Sequence, residues 1–270
     1  MCQKNLNIPL IMTSSISTNG MKGACFTDEE RIQMYGEALK FYIKTFLVEP
    51  ERKIVFVENS GYPLHKFLSS IGGGYLVDNQ QIEFLSLPFS EFDISKGKGY
   101  NEAVLISLAN KQSKFISTTG NFFKVTGRYP IYNINFFYKS ACKAFSKGAE
   151  LYCDIKDHKL YDLLQTGWNG HSFDCRIFAS TVNFWDEVIK PDIHLLNDYE
   201  GLLLEDLMFK NCRNVNKSKS LRFKREPHFG GLEGSENSTI SFSKNQDSLK
   251  AKFKRGLGNG IRILTPWFWF

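Results

Sequence analysis

Short apolar runs separated by segments of helical periodicity limit the folds open to this 270-residue chain more than any other feature. The runs are I-P-L-I-M-T at 8–13, K-I-V-F-V at 53–57, I-E-F-L-S-L at 82–87 and F-F-K-V at 122–125. Each has the length of a strand and is apolar enough to be buried. Helices are expected between them. Thr27-Asp28-Glu29-Glu30 has the form of a capping box, in which the threonine accepts from the third amide on and the glutamate reaches back. The helix it opens carries Ile32, Tyr35, Leu39, Tyr42, Ile43 and Phe46 on one face, with Pro50 just past its end. A short helix is expected over 63–70, a break at Gly72-Gly73-Gly74, and a further helix from about Tyr100 to Asn110. Strands alternating with helices imply a mainly parallel sheet with right-handed crossovers.

The second half is less regular. Helices are expected over 133–146, over 181–189 with a stop at Pro191, and over 199–212, where Leu202, Leu203, Leu207, Met208 and Phe209 recur. Strands are expected over 151–155, at 177–179 and over 222–229. Residues 230–248 are rich in Gly, Ser and Asn and read as irregular.

The charge is modestly basic, +6, with basic segments at 217–225 and 250–255. That balance suits anionic substrates or an anionic membrane surface. It falls short of a dedicated nucleic-acid binder, no nucleic-acid module is recognisable, and no nucleic-acid partner is expected. The six cysteines are scattered without C-x-x-C or zinc spacing, and read as reduced thiols of a cytoplasmic protein. Neither a signal peptide nor a transmembrane helix is expected, since no run of about 18 apolar residues occurs.

Within this frame the stretch from Lys96 to Tyr129 concentrates the chemistry. Lys96-Gly97-Lys98-Gly99 opens a helix, and the strand at 122–125 ends in Thr126-Gly127-Arg128-Tyr129. Ligands of open α/β sheets bind beyond the carboxyl ends of strands, and a helix N-terminus offers free N–H groups to an anion. Lys96, Lys98 and Arg128 add formal charge. A phosphate-bearing ligand such as a nucleotide is expected there. Thr13, Ser14 and Ser15, in the turn after the first strand, are positioned to hydrogen-bond a base or ribose.

These residues carry a resemblance. The order of strand, acidic strand end, strand, G-K-G helix, strand and polar turn resembles bacterial glycosyltransferases of the GT-A fold. K-G-K-G-x-x-E followed by F-F-K-V-T-G-R-Y is similar to one group of these, in capsule and O-antigen biosynthesis, as is Pro227 to Ser235. The resemblance implies a GT-A-like, Rossmann-like sheet flanked by helices over 1–248. Residues 1–130 would form the nucleotide-sugar half and 131–248 the acceptor half, with a basic-aromatic tail at 249–270. It implies a nucleotide-sugar donor and a glycan or lipid-linked oligosaccharide acceptor. Where D-x-D would hold a divalent metal, this chain has Thr126-Gly127-Arg128-Tyr129, so no metal is the favoured reading. Arg128 and Lys124 would then meet the diphosphate directly. The alternative is Mg²⁺ or Mn²⁺ on Asp154 and Asp157, in D-I-K-D.

Glycosyl transfer needs a base for the acceptor hydroxyl and neutralisation of the departing diphosphate. Leu204-Glu205-Asp206 is similar to the x-E-D motif, making Glu205 or Asp206 the candidate base. His228 lies where a C-terminal histidine meets the diphosphate in many such enzymes. Asp174 and Arg176 read either as a second catalytic and acceptor pair, with Tyr129, or as a salt bridge along one strand face. Glu102 is read as a partner of Lys96 or a complement to the helix dipole. His158 and His171 have carboxylates nearby, and a loop of Gly167 to Gly170 precedes the second. The tail, Lys250 to Arg255 and Trp267-Phe268-Trp269-Phe270, reads either as a core-docking element or as an interfacial anchor on anionic lipid. Two other classes stay open. A nucleotidyltransferase would place a glycine-rich basic loop after the first strand, where this chain has T-S-S-I-S-T-N-G. A non-enzymatic peripheral membrane protein would use the tail alone.

Overall fold

The computed structural model describes residues 6–157, 170–235, 238–241 and 249–264. Seven strands form one sheet: β1 (Leu10–Ser14), β2 (Ile54–Glu58), β3 (Ile82–Ser86), β4 (Asn121–Thr126), β5 (Leu151–Asp157), β6 (His171–Thr181) and β7 (Ser220–Arg222). They lie in the order β3-β2-β1-β4-β6-β5-β7. The pairs β3–β2, β2–β1, β1–β4 and β5–β7 are parallel, whereas β6 runs antiparallel to both β4 and β5. This is the mainly parallel α/β sheet that the alternation of strands and helices requires.

Strand alternation sorts side chains into two cores. Leu10, Met12, Phe56, Phe123 and Val125 face α1 (Asp28–Thr45), α2 (Leu64–Ser70) and α5 (Ile134–Phe145). Ile11, Val55, Val57 and Phe122 face α3 (Gly97–Gln112) and α6 (Leu204–Cys212), with α4 (Lys114–Thr119) alongside. Burial on both faces explains why β1 and β2 are apolar throughout. The capping box at the start of α1 forms as its sequence dictates: Glu30 N donates to Thr27 Oγ1 at 3.2 Å and Thr27 N to Glu30 Oε2 at 2.9 Å.

From β1 the chain passes to β2 and β3 on one side, then returns to β4 on the other. The reversal leaves a crevice at the C-terminal ends of β1 and β4, where such sheets bind ligands.

The second half departs from its sequence reading at several points. β6 spans eleven residues instead of three. The helical run after it continues past Pro191 to Leu195, because a proline at the start of a new 3₁₀ segment removes no needed hydrogen bond. α6 begins at Leu204, not at 199, since Gly201 takes a left-handed φ of +88° and breaks the periodic stretch. The last sheet strand is Ser220–Arg222, and Phe229 makes only an isolated bridge to Ile131. Within the stretch read as irregular, β8 (Leu232–Ser235) and β9 (Ser238–Ser241) form an antiparallel hairpin. The basic segment belongs to a sixteen-residue helix, α7 (Leu249–Leu264). His158, Gly167, Trp168, Asn169 and Trp267 to Phe270 lie outside the described residues.

Candidate active site

A cleft of about 500 Å³ opens at the β1/β4 switch point. Thr13, Ser14 and Ser15 line it from β1, Thr126, Arg128 and Tyr129 from β4, Lys98 and Glu102 from α3, and Glu205 from α6. Gly127 lets the two strands close at this point. Its N–H donates to the Thr13 carbonyl at 2.9 Å, and a Cβ there would stand 2.6 Å from that oxygen.

The glycines of K-G-K-G have a different reason. Lys98 N and Gly99 N donate to the Asp198 carboxylate at 2.7 and 3.0 Å. A Cβ on Gly97 or Gly99 would lie 2.6 or 2.7 Å from the same side chain. The start of α3 therefore takes an anion, as its free amides and dipole favour, but that anion is the chain's own Asp198. Sequence reading missed Asp198, because its partner is a hundred residues away.

Lys96 and Lys98 point apart. The Lys96 ammonium donates to the His194 carbonyl at 3.1 Å and sits over the Tyr100 ring, outside the residues that line the cleft; its assignment to the diphosphate is corrected on that ground. Lys98 lines the cleft and donates to the Gly23 carbonyl. Burial holds its pKa below the ordinary lysine value, and the Arg128 and Arg31 charges add to the depression while Cys25 and Asp198 oppose it. Arg31, which carries no site reading from sequence, is 8% exposed and spends its Nε and Nη2 on the Ser15 carbonyl. Arg128 donates from Nη2 to Tyr129 Oη at 2.7 Å, and its Nε has no hydrogen-bond partner.

Lys124 is different. It is fully buried, and its ammonium contacts Glu102 Oε1 at 2.7 Å, Thr126 Oγ1 at 3.0 Å and the Cys175 carbonyl. All three protons are used, so Lys124 supports the floor of the cleft and has no donor left for a diphosphate; its donor-binding assignment is corrected accordingly. Glu102 pairs with Lys124, not Lys96, and also accepts from Thr13 Oγ1 at 2.8 Å. Both contacts fall on Oε1, and Glu102 lines the cleft.

Of the two candidate bases, Glu205 lines the cleft, whereas the Asp206 carboxylate turns back to the Leu203 N–H at 3.3 Å as a helix cap and is corrected to that role. Glu205 is exposed as a residue, yet its pKa is held above the usual carboxylate range, first by desolvation of its carboxyl and further by the Glu102 and Asp174 charges, against its own backbone N–H and Lys124. Asp174 is bound bidentately by Arg176, at 2.9 and 2.8 Å. Burial raises its pKa, but the Arg176 charge and hydrogen bonds outweigh that and hold it below the usual range. A carboxylate held ionised this firmly is a poor base, so the i, i+2 salt-bridge reading describes this pair. Arg176 also lies 4.3 Å above the Phe229 ring at the cleft edge. Tyr129 lines the cleft but is 3% exposed and packs edge-on against Phe229.

His228 is not among the cleft-lining residues. Its ring packs edge-on against Tyr132 and its backbone N–H donates to Asn133 Oδ1 at 2.9 Å. Asp154 is held by Arg262 through two bonds of 2.9 and 3.1 Å, and Asp157 meets His171 Nδ1 at 2.7 Å. The residues thus do not fit the metal that D-I-K-D was read to hold: its carboxylates face separate partners, and a cation, Arg128, occupies the turn after β4. Among the described residues no group of three or more His, Cys, Asp or Glu side chains converges as ligands.

At the β2 end of the cleft, Glu58 is fully buried and accepts from Ile16 N, Ser60 N and Ser60 Oγ on one oxygen. Its neighbour Asn59 is 6% exposed, lines the cleft, and has an Oδ1 with no hydrogen-bond partner. Buried polar atoms are nearly always partnered, so this oxygen marks a place for a ligand donor.

No family model matches the sequence, and no curated protein matches it. Solved structures resemble it weakly. Mouse xyloside xylosyltransferase 1, in its apo form, is 9% identical over 80% of this chain and 85% of that one, with a TM-score of 0.46. The mannosyltransferase Ktr4p of S. cerevisiae is 8% identical over 94% and 82%, also at 0.46. The galactosyltransferase LgtC, in complex with donor and acceptor sugar analogues, is 9% identical over 76% and 69%, at 0.44.

Proposed function

We propose that this protein is a glycosyltransferase that moves a sugar from a nucleotide-sugar donor to a glycan or lipid-linked oligosaccharide acceptor. The carrying observation is the convergence of Arg31, Lys98 and Arg128 on one cleft at the switch point, after Glu102, Asp174 and Asp198 have been matched internally. Burial, with the Arg128 and Arg31 charges behind it, weakens the Lys98 ammonium, and a diphosphate entering the cleft supplies the negative charge that offsets this. The nucleoside end fits the side of the cleft lined by Ser14, Ser15 and Asn59, where the orphan Asn59 Oδ1 accepts a hydrogen bond.

The sugar then lies between the cations and Glu205. The acceptor oxygen forms its bond to the anomeric carbon as the bond from that carbon to the phosphate oxygen breaks. The hydroxyl proton goes to Glu205, whose raised pKa makes its carboxylate a stronger base than an ordinary glutamate. The electron pair leaves on the nucleoside diphosphate, which Arg128, Lys98 and Arg31 neutralise. The resemblance of F-F-K-V-T-G-R-Y to capsule and O-antigen enzymes supports a role in surface polysaccharide synthesis on the cytoplasmic side, with residues 1–130 as the donor half and 131–248 as the acceptor half.

Calorimetry with a panel of UDP-, GDP-, CDP- and TDP-sugars tests this reading. At least one donor binds wild-type protein, and Arg128→Ala weakens it about 30-fold, the loss of about 2 kcal/mol for a hydrogen bond to a charged group. Absence of binding to every member of the panel, or an Arg128→Ala variant that binds as wild type does, refutes it.

A further inference from the structure

α7 is built inside out. Most surface helices turn an apolar stripe to the protein and a charged face to water. Here the side that meets the protein is polar. Arg262, 5% exposed, binds Asp154 of β5 through both Nη atoms. Asn259 Oδ1 accepts from Glu226 N at 2.9 Å, and Gly258 lets the helix approach the Glu226 side chain. On the other side Phe253, Leu257 and Leu264 are 76%, 59% and 75% exposed. At 100° per residue these three fall within about 40° of arc, and their centre lies about 170° around the helix from that of Arg255, Gly258, Asn259 and Arg262. The exposed stripe therefore points directly away from the body of the protein.

We infer that this outward face is the site by which the protein docks on an anionic lipid bilayer. The charge of the segment selects that occupant. Leu249–Leu264 contains Lys250, Lys252, Lys254, Arg255 and Arg262 and no Asp or Glu. A cationic helix with an apolar outer stripe lies in the plane of the interface, its stripe among the acyl chains and its lysines at anionic headgroups. No described helix is long and apolar enough to cross a membrane, so the contact is with the surface. The Arg262–Asp154 pair ties the helix to β5, so that docking orients the sheet and does not merely tether it. This inference stands on the helix and is independent of the reaction assigned to the cleft.

The full chain is sedimented with vesicles of phosphatidylcholine containing about 30% phosphatidylglycerol, and with pure phosphatidylcholine. Wild type partitions onto the anionic vesicles, less at high salt, and onto the neutral ones at least about tenfold less. Phe253→Ser with Leu257→Ser, both on the solvent side of a docked helix, lowers anionic binding about tenfold or more with an unchanged melting temperature. Failure of wild type to bind anionic vesicles overturns the inference. So does undiminished binding of the double variant, which assigns the affinity to another segment. A concentration-dependent dimer abolished by the same variant, without lipid binding, assigns the face to a second copy of the chain and also overturns it.

Discussion

Lys96, Lys98 and Lys124 look alike in sequence and have three different fates. Lys96 caps a distant carbonyl, Lys98 faces the cleft, and Lys124 is sealed beneath it with every proton bound. The charge available to a ligand is decided by which donors are already spent, and a lysine's position in a motif does not report that. The same holds for the acids. Asp174 and Asp206 are engaged by a guanidinium and an amide, whereas Glu205 faces the cleft with a raised pKa. For Glu205→Gln, kcat is expected to fall at least about 100-fold. With Glu205 as the proposed base, only its ionised form accepts the proton, so the wild-type rate is expected to rise with pH through a carboxylate titration displaced upward. Stability moves the opposite way. Folding raises the Glu205 pKa, so the unfolded chain loses this proton first, and the ionised group subtracts stability once pH passes the unfolded value. Because Glu205 is exposed, solvent screens this effect, and Glu205→Gln is expected to melt close to the wild-type temperature at pH 7. A variant that is both slower and clearly less stable points to a structural role instead, as calorimetry beside the pH–rate profile would reveal.

At the scale of elements, glycines decide how closely segments meet. Gly127 and Gly256 are both candidates for alanine, with opposite expected signs. A Cβ on Gly127 meets the Thr13 carbonyl at 2.6 Å, and because that neighbour is backbone, β1 and β4 have to part. Gly127→Ala is expected to destabilise by about 2 kcal/mol in urea melts, in the range for an overpacked site. Gly256, inside α7, has nothing within 4 Å of its would-be Cβ. There alanine relieves the glycine penalty and stabilises by about 0.5–1 kcal/mol. Equal effects at the two sites contradict this account of the β1/β4 junction. The element that sequence periodicity misjudged most, 199–212, follows the same logic. Its first residues are apolar enough to read as helix, but the chain there is drawn to the start of α3 by Asp198, and Gly201 turns it back.

On the scale of the whole molecule, the Glu102–Lys124 pair joins α3 to β4, and through Thr13 and the Cys175 carbonyl to β1 and β6. Removing one member of such a buried pair strands the other. Lys124→Met is expected to destabilise by about 3 kcal/mol, near the lower end of that class because Glu102 keeps some access to solvent. Glu102→Gln retains an acceptor and leaves the ammonium bonded, and is expected to lose less. A double-mutant cycle on these two residues, followed by denaturant unfolding, measures the coupling; a value near zero contradicts the pairing.

Local sequence settled what depends on near neighbours. Apolar runs of strand length, the Thr27–Glu30 capping box and helical periodicity between strands were enough for a mainly parallel α/β sheet, and for placing Thr13, Arg128 and Lys98 at its carboxyl edge. Those features act within one turn or one strand, so they are written in consecutive residues. What needed the folded chain was every relation between distant segments. Examples are the antiparallel course of β6, the capture of the α3 amides by Asp198, the burial of Lys124, the entry of Arg31 into the cleft, and the outward turn of the apolar face of α7. Each depends on which partner arrives first at a donor, an acceptor or an apolar surface, and that is fixed by packing across the sheet rather than by the order of residues along it.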